Sequence, residues 1–202
     1  MTTAARPTVA VAYHSGYGHT AVLAEAVARG AASAGADTVQ IAVDTITEEQ
    51  WAQLDAADAI VFGSPTYMGT ASGAFHTFAE ETSKRWFSQA WKDKLAAGFT
   101  NSGSKSGDKL HTLQFFTVLA AQHGMQWISL GLHPGWNSST ASENDLNRLG
   151  LFLGAGAQTH TDQGPEGVHQ ADVLTAEHLG ERVARQAEIT LAGRAALAAL
   201  AA

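Results

Sequence analysis

Residues 8–20 read TVAVAYHSGYGHT, and the organisation of the chain can be worked out from this segment. Its first half, Thr8–His14, is apolar and rich in β-branched residues, which predicts a strand. The glycines that follow indicate a tight turn. From Thr20 onward, apolar residues recur at helical spacing. The segment therefore predicts a strand, a glycine-rich loop and a helix in succession.

The same alternation recurs along the rest of the chain. Apolar runs predict further strands at Thr38–Val43, Asp58–Gly63, Lys94–Thr100 and Gln126–Leu130. Helical spacing predicts helices at Thr47–Leu54 (opened by a capping box from Thr47 to Gln50), Ala74–Arg85, Leu110–His123 and Thr175–Leu200. Strands that alternate with helices favour a parallel sheet with right-handed crossovers. We therefore predict the α/β class, with a doubly wound five-stranded parallel sheet of order 2-1-3-4-5 and helices on both faces.

The composition is typical of one folded domain. The chain has 202 residues, of which 45 % are hydrophobic, enough to bury a core. Residues 131–171 are rich in Gly, Ser, Asn and His, and we expect a long excursion there within a single domain that spans residues 1–202. The absence of cysteine excludes a disulfide scaffold, a thiolate nucleophile and a cysteine-ligated metal.

Several classes of partner are not expected. The net charge is −7 and no basic stripe occurs, which argues against nucleic acid. No apolar run approaches the roughly 20 residues that span a bilayer, so no membrane insertion is expected. Met1–Pro7 lacks the apolar core of a secretory signal, so we expect a cytoplasmic location. His160, Asp162 and His169 could cluster, but solvated loop residues explain them better, and no metal site is predicted.

A phosphate site is predicted at the loop after the first strand. Backbone N–H groups and the dipole at a helix N-terminus can bind phosphate without a cation, and glycines let the backbone approach closely. The loop consists of Ser15, Gly16, Tyr17, Gly18, His19 and Thr20. Position 21 is Ala, not the third Gly of a dinucleotide fingerprint, and no Gly-Lys-Ser/Thr occurs, so a monophosphate ester is favoured. The alternative is an ordinary helix N-terminus with hydroxyl groups nearby.

Two further loops suit an aromatic ring system. Gly63–Gly69 offers the flat or polarizable side chains of Tyr67 and Met68. Thr100–Gly107 offers backbone N–H groups and small side chains for a ring edge that carries carbonyls and nitrogens. Each could also be an ordinary solvated loop. Because the three loops follow strands that are neighbours in the expected order, we expect them to surround one crevice.

Four segments together resemble a known family. They are Tyr13–Thr20, Gly63–Gly69, Phe99–Gly103 and Gln122–Met125. In order and spacing they are similar to the flavodoxin-like NAD(P)H:quinone oxidoreductases, the family of the tryptophan-repressor-binding protein and the NADPH-dependent FMN reductases. The resemblance covers about Val9–Leu130 and implies a flavodoxin-like fold.

The resemblance also implies a cofactor and the residues that hold it. FMN would be bound tightly but non-covalently, with NAD(P)H as co-substrate. The ribityl phosphate would be held by Ser15, Gly16, Tyr17, Gly18, His19 and Thr20, the isoalloxazine ring by Pro65, Thr66, Tyr67, Met68 and Gly69, and its pyrimidine edge by Thr100, Asn101, Ser102, Gly103 and Ser104. His123 would lie beside the flavin as a cofactor contact and the catalytic residue. Trp86 and Tyr67 would wall the substrate site.

The activity implied by the resemblance is FMN-dependent oxidoreduction. Electrons would pass from NAD(P)H through FMN to a quinone-like acceptor, in a ping-pong reaction with hydride transfer at flavin N5, as in an NAD(P)H dehydrogenase of the quinone type. A homodimer or homotetramer is the expected assembly. One alternative is a flavodoxin-type one-electron carrier that docks a redox partner without turning over NAD(P)H. Another is a flavin-free interaction protein with the same fold.

Overall fold

A parallel sheet runs through the middle of the computed structural model, which describes residues 6–201. The strands are β1 (Thr8–Tyr13), β2 (Asp37–Ala42), β3 (Ala59–Tyr67), β4 (Thr70–Ala71), β5 (Leu95–Ser102), β6 (Gln126–Trp127) and β7 (Ala155–Gln158). The helices are α1 (His19–Ser33), α2 (Glu48–Ala56), α3 (Gly73–Glu81), α4 (Ser83–Phe87), α5 (Lys109–Gln122) and α6 (Gln170–Leu200). Most of the Met1–Pro7 segment, and Ala202, lie outside the described residues.

The order of the sheet confirms the doubly wound arrangement. Its strands run β2-β1-β3-β5-β6, all parallel, and the two-residue β4 adds an antiparallel hairpin to β3. Both faces of β1 are buried, Val9 and Val11 against α1 and α6, and Ala10 and Ala12 on the side of α2, α3 and α5. Burial on both faces explains why the strands read as nearly continuous apolar runs.

Two separate segments share the fifth strand position. The expected strand Gln126–Leu130 is shorter than predicted, because only Gln126 and Trp127 pair with the start of β5. The end of β5, from Phe99 to Ser102, pairs instead with β7. The excursion at residues 131–171 therefore returns a strand to the sheet, which the sequence analysis did not predict. The sequence of β7 is AGAQ, which has no β-branched or aromatic residue to signal a strand.

Three other boundaries differ from the predictions, and one signal is confirmed. β3 runs on through Ser64–Tyr67, so most of the second loop is extended backbone in the sheet. The helix predicted at Ala74–Arg85 is divided at Thr82 into α3 and α4. α6 begins at Gln170, one turn earlier than predicted. The capping box is present, since Gln50 N donates to Thr47 Oγ1 and Thr47 N donates to Gln50 Oε1.

Helices α1 and α6 touch backbone to backbone. A Cβ atom added to Gly30 would lie 1.9 Å from the carbonyl oxygen of Glu177, and one added to Gly180 would lie 2.0 Å from that of Val27. The two glycines therefore set how closely α6 approaches α1, which follows the candidate phosphate loop. Beyond Ala187, α6 is mostly exposed.

Replacing Gly180 by Ala should lower the free energy of unfolding by about 1–3 kcal/mol, because the new methyl group forces the helices apart. The matched control is Gly193→Ala in the same helix, where no atom lies within 4 Å of the new carbon. That change should raise the free energy by up to about 1 kcal/mol through helix propensity. Urea unfolding measures both, and equal stability of the two variants would contradict the close packing.

Candidate cofactor-binding site

A cleft of about 540 Å³ opens where β1, β3 and β5 end. Its lining residues are Tyr17, His19, Thr20, Pro65, Thr66, Tyr67, Met68, Asn101, Ser102, Gly103, Thr159 and Thr161. The three loops that were expected to converge therefore meet at this edge of the sheet. Within the described part of the chain, no Asp, Glu, Lys or Arg lines the cleft. A ligand here would meet neutral side chains, backbone amides and one histidine, His19.

The first loop presents a run of unpaired backbone amides. Gly18, with φ of 87°, is the N-cap of α1, and as a glycine it has no side chain of its own to cap the helix. Ala21 N donates to Ser15 Oγ and Val22 N to the Gly18 carbonyl, but the amides of residues 15–20 find no acceptor within residues 6–201. Free N–H groups at the positive end of a 15-residue helix favour a bound anion. The arrangement fits the predicted phosphate group.

Close contacts leave the glycines of this loop little room. A Cβ on Gly16 would lie 2.6 Å from the Tyr67 hydroxyl, and one on Gly18 would lie 2.6 Å from Cγ of Pro165. The Tyr17 and Tyr67 rings meet edge to face, with centroids 6.3 Å apart and planes at 74°. Burial, followed by the neighbouring Tyr17, raises the pKa of Tyr67. Tyr67 therefore stays a neutral, partly exposed wall of the cleft.

The second loop ends in a tight hairpin turn at the mouth of the cleft. Met68 and Gly69 both have positive φ, 49° and 89°, as a type I′ turn between β3 and β4 requires. The Met68 side chain is fully exposed. His111 Nδ1, on α5, donates to the Gly69 carbonyl at 2.7 Å. A helix from another part of the chain thus holds the turn in place.

Buried threonines connect the second and third loops. Hydrogen bonds of 2.8 Å join the Thr66 hydroxyl to the hydroxyls of Thr100 and Thr112. Thr100 is fully buried and does not line the cleft, which corrects the expectation that it contacts the cofactor. Its hydroxyl instead supports Thr66, which does line the cleft. Ser104 and Gly69 lie instead in an adjoining polar pocket, together with His160 and Asp162.

The end of the long excursion contributes residues that the sequence analysis missed. Thr159 and Thr161 line the cleft. Thr159 Oγ1 donates to Asn101 Oδ1 at 3.0 Å, and Gln158 Nε2 donates to the Gly103 carbonyl at 2.9 Å. These bonds attach the segment after β7 to the third loop. The sequence carries no signal for them, because their position depends on the unpredicted pairing of β7 with β5.

A buried ion pair between Arg148 and Asp172 holds the segment after β7 in place. Arg148 Nε and Nη2 donate to the two carboxylate oxygens of Asp172 at 2.8 and 2.7 Å, and both side chains are almost completely buried. The backbone N–H of Gln158 also donates to Asp172 Oδ2, at 3.0 Å. A bidentate pair of this kind fixes both partners in orientation. It therefore holds the start of α6, the excursion and β7 in one arrangement.

His123 and Trp86 do not lie in the cleft of their own chain. They line a second pocket of about 410 Å³, together with Thr82 and Val118. The sequence analysis expected His123 near the crevice, and this placement is corrected for the single chain. α5 begins beside the cleft, and its 14 residues carry the chain about 20 Å away, toward the amino-terminal ends of the parallel strands.

The hydrogen bonds of His123 define its tautomer. The Thr82 hydroxyl donates to the Ala79 carbonyl at 2.7 Å, so His123 Nε2, at 2.8 Å from that hydroxyl, must donate to it. Nδ1 is then the unprotonated nitrogen, and it is buried without a partner among the described residues. Burial lowers the pKa of His123. The ring packs against Trp91, with centroids 4.7 Å apart.

Comparison with known proteins identifies the family. Residues 8–132, more than half of the chain, match the family model described as NADPH-dependent FMN reductase. The chain belongs to this family. The family resemblance and the flavodoxin-like fold predicted from the sequence are thereby confirmed. Membership supports an FMN-binding oxidoreductase as the general class of the protein.

Named relatives of this FMN reductase family member agree with that assignment. Flavodoxin FldP of Pseudomonas aeruginosa (strain UCBPP-PA14) is 44 % identical over 176 residues, which cover 87 % of this chain and 94 % of the relative. The crystal structure of a flavodoxin, WrbA-like protein from Agrobacterium tumefaciens is 43 % identical, with a TM-score of 0.72 and coverage of 91 % and 98 %. A flavodoxin from the domain Archaea, 19 % identical with a TM-score of 0.60 and coverage of 90 % and 99 %, shares the fold.

Two further observations concern the described residues as a whole. Among residues 6–201, no group of three or more His, Cys, Asp or Glu side chains is arranged to hold a metal ion. Over the same range, no helix combines the length and the apolar character that crossing a membrane requires.

Proposed function

We propose that this protein is a cytoplasmic FMN-dependent oxidoreductase that passes electrons from NAD(P)H to a quinone-like acceptor. FMN would be bound tightly and non-covalently in the cleft between the three loops. The proposal is carried by the amides of residues 15–20 at the N-terminus of α1, which have no acceptor among the described residues 6–201. They lie beside a cleft that no Asp, Glu, Lys or Arg of that range lines. Such a site suits a single phosphate on a largely neutral ring system.

Each loop has a distinct part in this proposal. The amides of the first loop would hold the phosphate, and the Thr20 hydroxyl, buried in the lining, would add a donor. Tyr67 and Met68 would lie along one side of the ring, and Asn101 to Ser104 would hold its polar edge. When bound, FMN would supply the redox chemistry, taking hydride from NAD(P)H at N5 and returning two electrons to the acceptor.

The first test concerns the phosphate loop. Gly18→Ala should weaken FMN binding at least about tenfold, because the added methyl group meets Pro165 and distorts the amides of the loop. The control is Gly35→Ala just beyond the other end of α1, where φ is 92° rather than 87° and no atom lies within 4 Å of the new carbon. Titration of the cofactor-free protein with FMN measures both dissociation constants. Equal weakening by the two changes would show that the loop does not hold the phosphate.

The second test separates the enzyme from the one-electron carrier. Purified protein loaded with FMN should be yellow, should be bleached by NAD(P)H without oxygen, and should oxidise NAD(P)H rapidly when benzoquinone is added. A carrier would retain FMN but would not be reduced by NAD(P)H directly. Protein that takes up no FMN would favour the flavin-free interaction protein.

His123 and Trp86 would reach the cofactor of a second subunit rather than that of their own chain. The pocket they share includes exposed apolar surface, since Trp86 is 50 % and Val118 58 % exposed. We propose that the protein forms a homodimer or homotetramer in which this pocket meets the cleft of another subunit. His123 would then be the catalytic residue beside the acceptor, and Trp86 would wall the substrate site.

The third test examines His123. His123→Ala should lower kcat with quinone by about tenfold or more while FMN remains bound, since the general acid or hydrogen-bonding group is removed. His133→Ala, which changes an exposed histidine of the excursion, is the control. Steady-state turnover, FMN content and oligomeric mass are measured together. Unchanged turnover in an intact oligomer would remove His123 from the mechanism.

A further inference from the structure

A buried ammonium group lies beneath the third loop. Lys109, the first residue of α5, is only 1 % exposed. Its Nζ donates to Ser102 Oγ at 2.6 Å, to the Ser104 carbonyl at 2.5 Å and to the Lys105 carbonyl at 3.3 Å. A lysine is rarely buried so fully unless it is paired. The loop is thus folded around this cation, which bonds Ser102 but does not itself line the cleft.

The charges around Lys109 leave one positive charge uncompensated. Asp172 and Arg148 are the charged groups that influence it most, and they are already paired with each other. Asp108 is exposed, and the Lys105 side chain lies over the Trp136 ring at 4.8 Å. Burial lowers the pKa of Lys109 to about 8, with Asp172 opposing the shift and Arg148 adding to it. The group is therefore mostly protonated at pH 7.

The bonds of Lys109 also orient the peptide groups of the loop. Because the N–H of a trans peptide points opposite to its carbonyl, the carbonyls of Ser104 and Lys105 turn the next two N–H groups away from Lys109. Within residues 6–201, the amides of residues 103–107 find no acceptor. Lys109 thus keeps a set of free donors pointing away from the buried cation.

We propose that Lys109 is a positioning residue that holds the third loop and offsets the negative charge of a reduced flavin. The inference rests on the proposed function, that FMN binds in the cleft. Hydride from NAD(P)H carries two electrons and one proton to the neutral ring, which is left with one negative charge. Lys109 keeps its own proton and acts through space and through the peptide dipoles of the loop. Among residues 6–201, no Lys or Arg lines the cleft, so the positive charge would come from Lys109, behind the third loop.

The test is the reduction potential of bound FMN between pH 6 and pH 10. Lys109→Met should lower the affinity for reduced relative to oxidised FMN on the order of tenfold near pH 6.5, which makes the potential more negative. The difference from wild type should shrink above pH 8, where the wild-type lysine loses its proton. Lys109→Arg keeps the positive charge, so it should restore the wild-type ratio of affinities for reduced and oxidised FMN near pH 6.5. The control is Lys105→Met, which removes an exposed lysine of the same loop and should leave the reduction potential of bound FMN unchanged.

Two results would overturn the proposal while leaving FMN binding intact. One is a Lys109→Met potential equal to that of wild type throughout the pH range. The other is equal weakening of both redox forms at every pH, as a merely structural role predicts. If the variants do not fold, the pH dependence of the wild-type reduction potential is the test. A slope that stays constant between pH 7 and pH 9 would show that reduction of the flavin is not coupled to the protonation of Lys109. Protein that binds no FMN would overturn the proposed function as well.

A cofactor-free measurement gives an independent readout. The lysine should lose its proton near pH 8 in the folded state but near pH 10.5 in the unfolded state. The unfolded state then binds more protons between these values, so the free energy of unfolding should rise with pH there in wild type relative to Lys109→Met. A constant difference between the two proteins across this interval would show that Lys109 is not a buried charge, and would overturn the proposal.

Discussion

The pairing of β3 with β5 is the constraint on which the site depends. It continues beyond the apolar core to Pro65 and Asn101, so the second and third loops leave the sheet side by side. The hydroxyls of Thr66, Thr100 and Thr112 then fasten the two loops to each other and to α5. Because these contacts are buried, the cleft has its shape before any ligand arrives.

Much of this arrangement could be predicted from local signals. The apolar runs, the glycine-rich turn before His19 and the capping box at Thr47 each act within a few residues, so sequence alone reveals them. β7 could not be predicted, since four residues of low strand propensity pair only because the rest of the sheet is already in place. Thr159 and Thr161 were missed for the same reason. The position of His123 follows from the direction of α5, which leads away from the carboxyl ends of the strands.

The electrostatics of the cleft explain how an acidic chain can favour an anionic ligand. The net charge is −7, yet within residues 6–201 no carboxylate lines the cleft. Backbone donors at the start of α1 would attract a phosphate, and the buried cation of Lys109 is bonded to Ser102, which lines the cleft. Lys109 is only 1 % exposed, so salt screens its charge less than it would screen a surface lysine.

The division of the fifth strand position has an evolutionary consequence. The chain leaves the sheet after Trp127 and re-enters the same edge at Ala155, so residues 128–154 begin and end beside one strand, β5. A segment inserted between two halves of an edge position can change in length without altering the register of the other strands. This segment can therefore diverge in length and sequence among relatives, while the first loop and the central strands stay the same.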